Sequence, residues 1–159
     1  MRRTFIIVTS ILFLLVSTGL AYGQGRPDWI AKVEDTIKLK EPAWKIGDHL
    51  IDDQGASYTE SFRLTKGGVT GMIQITSYSI LSNPIETFEG HVIAKDNMNK
   101  HGKKVVLAGV GDEGYVWPGR NADDFAEAFF RKGKTYVTVF LPGPGTAQRF
   151  AKHVAANMP

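Results

Sequence analysis

The chain has 159 residues, of which 43% are hydrophobic, which suits one domain with a sizeable core. It contains no cysteine, and this excludes disulfides, a thiol nucleophile, thiolate metal ligands and a lipidated cysteine. The 19 basic and 16 acidic residues give a net charge of +3. Two of the arginines lie at the extreme N-terminus, which leaves 17 basic against 16 acidic residues in the rest of the chain, and we therefore expect no nucleic-acid partner.

The first 23 residues predict a secretory signal peptide. Two arginines precede an apolar run from Phe5 to Val16, and small residues follow at Ala21 and Gly23. We expect cleavage after Gly23, with cleavage after Ala21 as second choice; the alternative is an uncleaved membrane anchor, for which the run is short. The pattern favours a bacterial protein that is periplasmic or secreted, with residues 24–159 as one domain and no membrane span after cleavage.

A helix and three strands are predicted next. Asp28 is a candidate N-cap, Pro42 ends the helix, and apolar residues recur between them at helical spacing: Trp29, Ile30, Val33 and Ile37. Three segments then have the apolar alternation of strands: Trp44–Asp52, residues 58–65 and Val69–Ile80. In the second strand Tyr58, Phe62 and Leu64 share one face, and we expect the three strands to form an antiparallel meander.

A second helix and a short strand follow. Asn83 is a candidate cap with Pro84 at the first helical position, and the helix is expected to fade between Asn97 and Gly102. Its apolar positions are Leu81, Ile85, Phe88 and Val92. His91 on this helix and His153 on the last helix are expected to face outward. The continuous apolar run Val105–Val110 predicts a strand.

The clearest local signal is a β-hairpin. Phe125–Arg131 and Thr135–Leu141 meet at Lys132-Gly133-Lys134, where glycine permits the positive φ of a tight turn. With a two-residue loop, the core face carries Ala126, Ala128, Phe130, Val137, Val139 and Leu141. The opposite face is expected to lie under a helix or to line a groove, and it carries Glu127, Phe129, Arg131, Tyr136, Thr138 and Phe140. A three-residue loop reverses this pairing, and an alternative interpretation makes Ala122–Phe130 a helix capped by Asn121.

The last helix follows Pro142–Gly145, with Thr146 as its candidate cap and with Ala147, Phe150, Ala151 and Val154 on its apolar face. The predicted order is α-βββ-α-ββββ-α. Runs of hairpin-linked strands between helices indicate an α+β fold, in which three helices pack on an antiparallel sheet of six or seven strands.

Gly109–Gly114 matches the dinucleotide-binding pattern G-x-G-x-x-G. That pattern holds a pyrophosphate at a helix N-terminus, whereas here Tyr115–Pro118 continues the chain and the loop contains two carboxylates, which repel phosphate. The sequence contains no serine-hydrolase motif G-x-S-x-G. Its four histidines do not have the spacing of a metal-binding motif: His49, His91, His101 and His153. We expect no cofactor and no metal.

Asp112 and Glu113 have two interpretations. They could act as the acid/base pair of a small hydrolase; alternatively, Asp112 accepts hydrogen bonds from turn amides and Glu113 pairs with a base such as Arg131. The second is favoured because neighbours in an extended segment point to opposite faces. Nearby aromatic residues complete a candidate ligand-binding site, with no catalytic residue assigned: Asp112, Glu113, Tyr115, Trp117, Arg131 and Tyr136.

Three segments carry a resemblance: Gly111–Tyr115, Phe130–Val137 and Phe150–Lys152. In this order they resemble small exported bacterial proteins of unknown function, and they are similar to extracytoplasmic sensor domains and to the PsbP/Mog1-type α/β/α sandwich. The resemblance implies a fold and no catalytic residue. We expect an exported, non-enzymatic domain of the bacterial envelope that binds a small molecule or an envelope protein. The alternatives are a small hydrolase and a structural accessory of an envelope complex.

Overall fold

The computed structural model describes residues 25–98, 103–120 and 124–159; the predicted signal peptide lies outside them. The described chain confirms the α+β prediction, with three helices and a seven-stranded antiparallel sheet in the order α-βββ-α-ββββ-α. The helices are α1 (Asp28–Lys40), α2 (Ser82–Met98) and α3 (Pro144–Asn157). The strands are β1 (Lys45–Asp53), β2 (Ser57–Lys66), β3 (Val69–Tyr78), β4 (Val105–Val106), β5 (Glu113–Trp117), β6 (Phe125–Lys132) and β7 (Thr135–Pro142).

The strands lie in the spatial order β1-β2-β3-β7-β6-β5-β4. The predicted meander β1-β2-β3 forms one half of the sheet. The chain then crosses through α2 to the opposite edge and returns strand by strand, so that β7 pairs with β3 in the middle. Strand β1 is an edge strand, and its register against β2 shifts between Ile46 and His49, which marks a bulge around Gly47 and Asp48.

The predicted hairpin is confirmed. Lys132 pairs with Thr135 around a two-residue loop, and Gly133 has a φ of 54°. All six residues of the predicted core face are fully buried. The alternative helix at Ala122–Phe130 is wrong in its described part, because Phe125–Lys132 is a strand that hydrogen-bonds to β5 and β7.

Helices cover the two faces of the sheet unequally. Helices α1 and α3 pack together on one face and bury the main core, in which Trp44 meets Phe150 edge to face at 5.7 Å. On the opposite face, α2 packs on β6, β7 and β3, whereas among the described residues it does not contact β1 or β2. The part of that face formed by β1, β2 and the start of β3 is therefore open, and we call it the open face.

Several predicted details are wrong. The position before α1 is Pro27, so Asp28 lies in the first turn, and α3 begins at Pro144 after Gly143, so Thr146 lies inside the helix. In α3 the cause is Pro144, since proline is favoured at the first position of a helix, whereas Pro27 is the extended residue that precedes α1. The strand expected at Val105–Val110 has only two residues, because the chain turns at Gly109 and Val110 instead packs into the core.

Two glycines of the G-x-G-x-x-G match, Gly111 and Gly114, have a packing role. Gly109 and Gly111 have φ values of 72° and 68°, and the chain continues into β5 rather than into a helix. A Cβ atom on Gly111 would lie 2.3 Å from the backbone oxygen of Arg131, and one on Gly114 would lie 2.7 Å from Cβ of Phe130. These glycines let the turn lie directly against β6.

Candidate functional site

The turn before β5 and the strand β6 bring three of the predicted site residues together. Arg131 donates hydrogen bonds to Asp112 over 2.9 Å and to Glu113 over 3.2 Å. Asp112 also accepts a hydrogen bond from the backbone N–H of Gly133 over 2.8 Å. This geometry matches the interpretation in which the two carboxylates hold the turn and pair with Arg131, since both face a cation rather than each other.

The three aromatic members of the predicted site differ in accessibility. Trp117 and Tyr136 are buried, whereas Tyr115 is half-buried. Trp117 stacks on Phe129 at 4.5 Å and Tyr115 stacks on Phe88 of α2 at 5.9 Å. Burial raises the pKa of Tyr136 above its usual value. These rings form the small core under α2, so only Tyr115 offers a ligand appreciable surface.

A polar group fixes α2 to the sheet. His91 was predicted to face outward, which is wrong: its ring lies over Phe129 at 4.0 Å, and its Nδ1 is 2.5 Å from the hydroxyl of Tyr136. Its Nε2 lies 3.2 Å from Glu127, which Lys95 also contacts. Burial acts to raise the pKa of Glu127, but hydrogen bonds from His91 and Lys95 outweigh it and lower the pKa. The hydroxyl–imidazole–carboxylate order resembles a catalytic triad, yet the hydroxyl is buried beneath the helix.

A groove between α2 and β5 has a volume of about 220 Å³. It contains two residues of the predicted site, Glu113 and Tyr115, and its other lining residues come from the helix: Phe88, Glu89, Val92 and Ile93. If the predicted site binds a ligand, an aromatic pocket should lie beside the acidic turn, and the groove lies at this position. The groove is small and shallow compared with the next cavity.

The open face holds a larger pocket, of about 360 Å³, which lies outside the predicted site. Three apolar side chains at its wall are exposed: Leu50 by 74%, and Met72 and Phe140 by 40% each. The ring of Phe140 is held by stacking on Phe125 at 4.7 Å. Ser61 and Thr70 also line the pocket. We call this cavity the open-face pocket.

Two charged side chains also line the open-face pocket. Arg63 and Asp48 project from β2 and from the bulge of β1, and both are exposed. Neither forms an ion pair within 4.0 Å among the described residues, although most other arginines of that part of the chain do. The pocket therefore combines an apolar wall with one guanidinium and one carboxylate, which is the composition that small-ligand sites commonly have.

A buried carboxylate on the α1 side is the main feature that sequence reasoning missed. Glu60 is fully buried; it accepts two hydrogen bonds of 2.8 Å from Arg26 and one of 2.6 Å from Tyr58, and His49 lies 2.5 Å away. Burial alone would raise the pKa of Glu60, but these partners lower it to about 2. The alternation of side chains along β2 predicts that Glu60 is buried, because it lies between Tyr58 and Phe62 on the core face.

The chain matches no protein-family model, and we found no match to it among curated proteins or solved structures. Within the described residues, none of the helices combines the length and hydrophobicity that crossing a bilayer requires.

Proposed function

We propose that this protein is an exported, non-enzymatic binding domain of the bacterial envelope and that its ligand occupies the open-face pocket. One observation supports this most: α2 covers only part of its face of the sheet, and the uncovered part presents a cavity of about 360 Å³ walled by exposed apolar side chains. Exposed apolar clusters around a concave surface are costly in water and typically mark binding sites. Export rests on the N-terminal pattern of arginines, apolar run and small residues.

The pocket lining favours a small molecule with an apolar body and a charged group. Leu50, Met72 and Phe140 provide the surface for the apolar part, and Arg63 provides a guanidinium without an ion-pair partner among the described residues. Guanidinium groups bind carboxylates, sulfonates and phosphates through paired hydrogen bonds. An amphipathic anion is therefore the first class of ligand to test.

The alternative of a small hydrolase has less support. Asp112 and Glu113 both pair with Arg131, and no described histidine lies within hydrogen-bond distance of either carboxylate. The cluster favours a role in holding the turn.

The proposal predicts binding of 1-anilinonaphthalene-8-sulfonate, an aromatic anion that fluoresces in apolar surroundings. Titration of residues 24–159 should give a saturable signal, and Phe140→Ser should weaken the affinity about five- to thirtyfold, because an aromatic contact contributes about 1 to 2 kcal/mol. Leu39→Ser is the matched control, since Leu39 is 76% exposed on α1, and it should bind as the wild type does. A thermal-shift screen of lipids, sugars and peptidoglycan fragments would then identify natural ligands.

The same titration separates the two cavities. A wild-type affinity in Phe140→Ser together with a loss in Tyr115→Ala would move the site to the groove between α2 and β5. If both variants bind as the wild type does, neither cavity is the ligand site.

A further inference from the structure

The Glu60 network brings together three side chains of the kinds that bind metal ions. Glu34 lies on α1, His49 on β1 and Glu60 on β2, and one donor atom from each lies within 4.8 Å of the other two. A Zn²⁺ ion with bonds of about 2.1 Å holds its ligand atoms roughly 3 to 4 Å apart. Small side-chain rotations bring the three donors to that spacing, and three rigid elements hold them in place.

The structure already places a cation among these donors. Nη2 of Arg26 lies 2.8 Å from Oε1 of Glu60 and also contacts Glu34. The guanidinium thus occupies the position that a metal ion bridging the two carboxylates would take. Arg26 precedes α1, and its side chain is 38% exposed, so its guanidinium has a route to solvent.

We propose that Glu34, His49 and Glu60 form a binding site for a divalent transition-metal ion such as Zn²⁺, in which the metal replaces the guanidinium of Arg26. The exchange replaces one positive charge beside the two carboxylates with two, and Lys38 stays 3.8 Å from Glu34 in either state. An imidazole nitrogen is also a good ligand for a transition metal, but it gains little from a guanidinium.

The second oxygen of Glu60 has the hydrogen bonding expected of a metal ligand. Oε2 accepts from the hydroxyl of Tyr58 over 2.6 Å and from Nε of Arg26 over 2.8 Å, while Oε1 lies 2.5 Å from Nδ1 of His49. A partner on the far oxygen orients a ligating carboxylate and is a common feature of metal sites. Tyr58 keeps this hydrogen bond whether Arg26 or a metal ion occupies the site.

The test measures Zn²⁺ binding by isothermal titration calorimetry on residues 24–159. We expect weak, saturable binding to the wild type and at least tenfold tighter binding to Arg26→Gln, because that variant removes the competing cation. Adding His49→Gln to Arg26→Gln should reverse the gain. Arg149→Gln is the matched control: Arg149 also pairs with a carboxylate beside a histidine, Glu41 and His153, but no second carboxylate belongs to that group.

Three results would overturn the metal site: Arg26→Gln binding Zn²⁺ no more tightly than Arg149→Gln, the double variant retaining the gain, or neither the wild type nor Arg26→Gln binding saturably. Removing Arg26 leaves Glu60 without its main cation, so the variant could fail to fold without metal. In that case Zn²⁺ should restore its cooperative thermal transition, and failure to do so would count against the proposal.

Discussion

Glu127 connects α2 to the sheet through charge. The side chain is mostly buried between His91 and Lys95, and its pKa lies below the usual value because hydrogen bonds from these two residues outweigh the effect of burial. A carboxyl group whose pKa is lower in the folded state contributes stability above its unfolded pKa, near 4.5. That contribution is lost as the pH falls through the folded pKa.

Glu127→Gln should therefore destabilise the domain by about 1 to 3 kcal/mol at pH 7, since it leaves the mostly buried Lys95 without a counter-charge. Denaturant unfolding at several pH values should show the difference from the wild type shrinking below pH 4.5, where the wild-type carboxyl group is itself being protonated. Glu86→Gln, at an exposed position of the same helix, is the control and should be neutral throughout. A difference that does not change with pH would show that packing, and not charge, accounts for the loss.

Glu60 shows the limit of sequence reasoning at this scale. Its position between Tyr58 and Phe62 places it on the core face, but its partners Arg26, Glu34 and His49 come from other elements. Only the packing of α1 against β1, which in turn pairs with β2, brings them together. Arg131 was easier to predict, because its partners Asp112 and Glu113 flank the start of the adjacent strand.

Among the elements, the turn before β5 depends on glycine for two different reasons. Gly109 and Gly111 both have positive φ, but a Cβ atom on Gly109 would meet nothing within 4 Å, whereas one on Gly111 would meet the backbone of Arg131. Substitutions at the two positions therefore distinguish the cost of the left-handed conformation, which applies to both glycines, from the cost of a steric clash, which applies only to Gly111.

Gly109→Ala should cost about 1 to 2 kcal/mol, the usual penalty for a left-handed conformation in a residue with a Cβ atom. Gly111→Ala should cost about 3 kcal/mol or more, because the turn must also move away from β6. Urea unfolding of both variants measures this directly. Equal losses would mean that the turn relaxes away from β6 at little cost.

The sequence predicted a helix or a strand correctly where the spacing of apolar residues was regular. The β6–β7 hairpin followed from alternating apolar residues around Gly133, and the apolar face of α3 followed from Ala147, Phe150 and Val154. The outward placement of His91 was wrong for a physical reason: it lies three residues after Phe88 and so on the same side of the helix, facing the sheet. A polar side chain on a buried helix face carries no sequence signal unless its partners are known.

In the molecule as a whole, α2 is the least firmly attached helix. It buries only Pro84 and Phe88, whereas α3 buries five residues in the main core. Elements with little buried apolar surface open more readily than the rest of a domain.

Hydrogen exchange followed by mass spectrometry should show this order. Amides of α2 should exchange at least about tenfold faster than those of α3, which corresponds to about 1.4 kcal/mol in opening free energy. The Glu127→Gln variant should accelerate exchange in α2 and leave α3 unchanged. Equal protection of the two helices would show that α2 opens only with the whole domain.

The bulge in β1 also affects how copies of this protein meet one another. An edge strand exposes hydrogen-bonding groups to which a second chain can add, and β1 carries exposed Leu50 and Ile51 that would favour such an addition. The register shift around Gly47 and Asp48 breaks that row of donors and acceptors near its middle. An incoming strand would find a regular edge only along residues 49–53, so the bulge shortens the edge that a second copy could extend while the apolar pocket stays open to solvent.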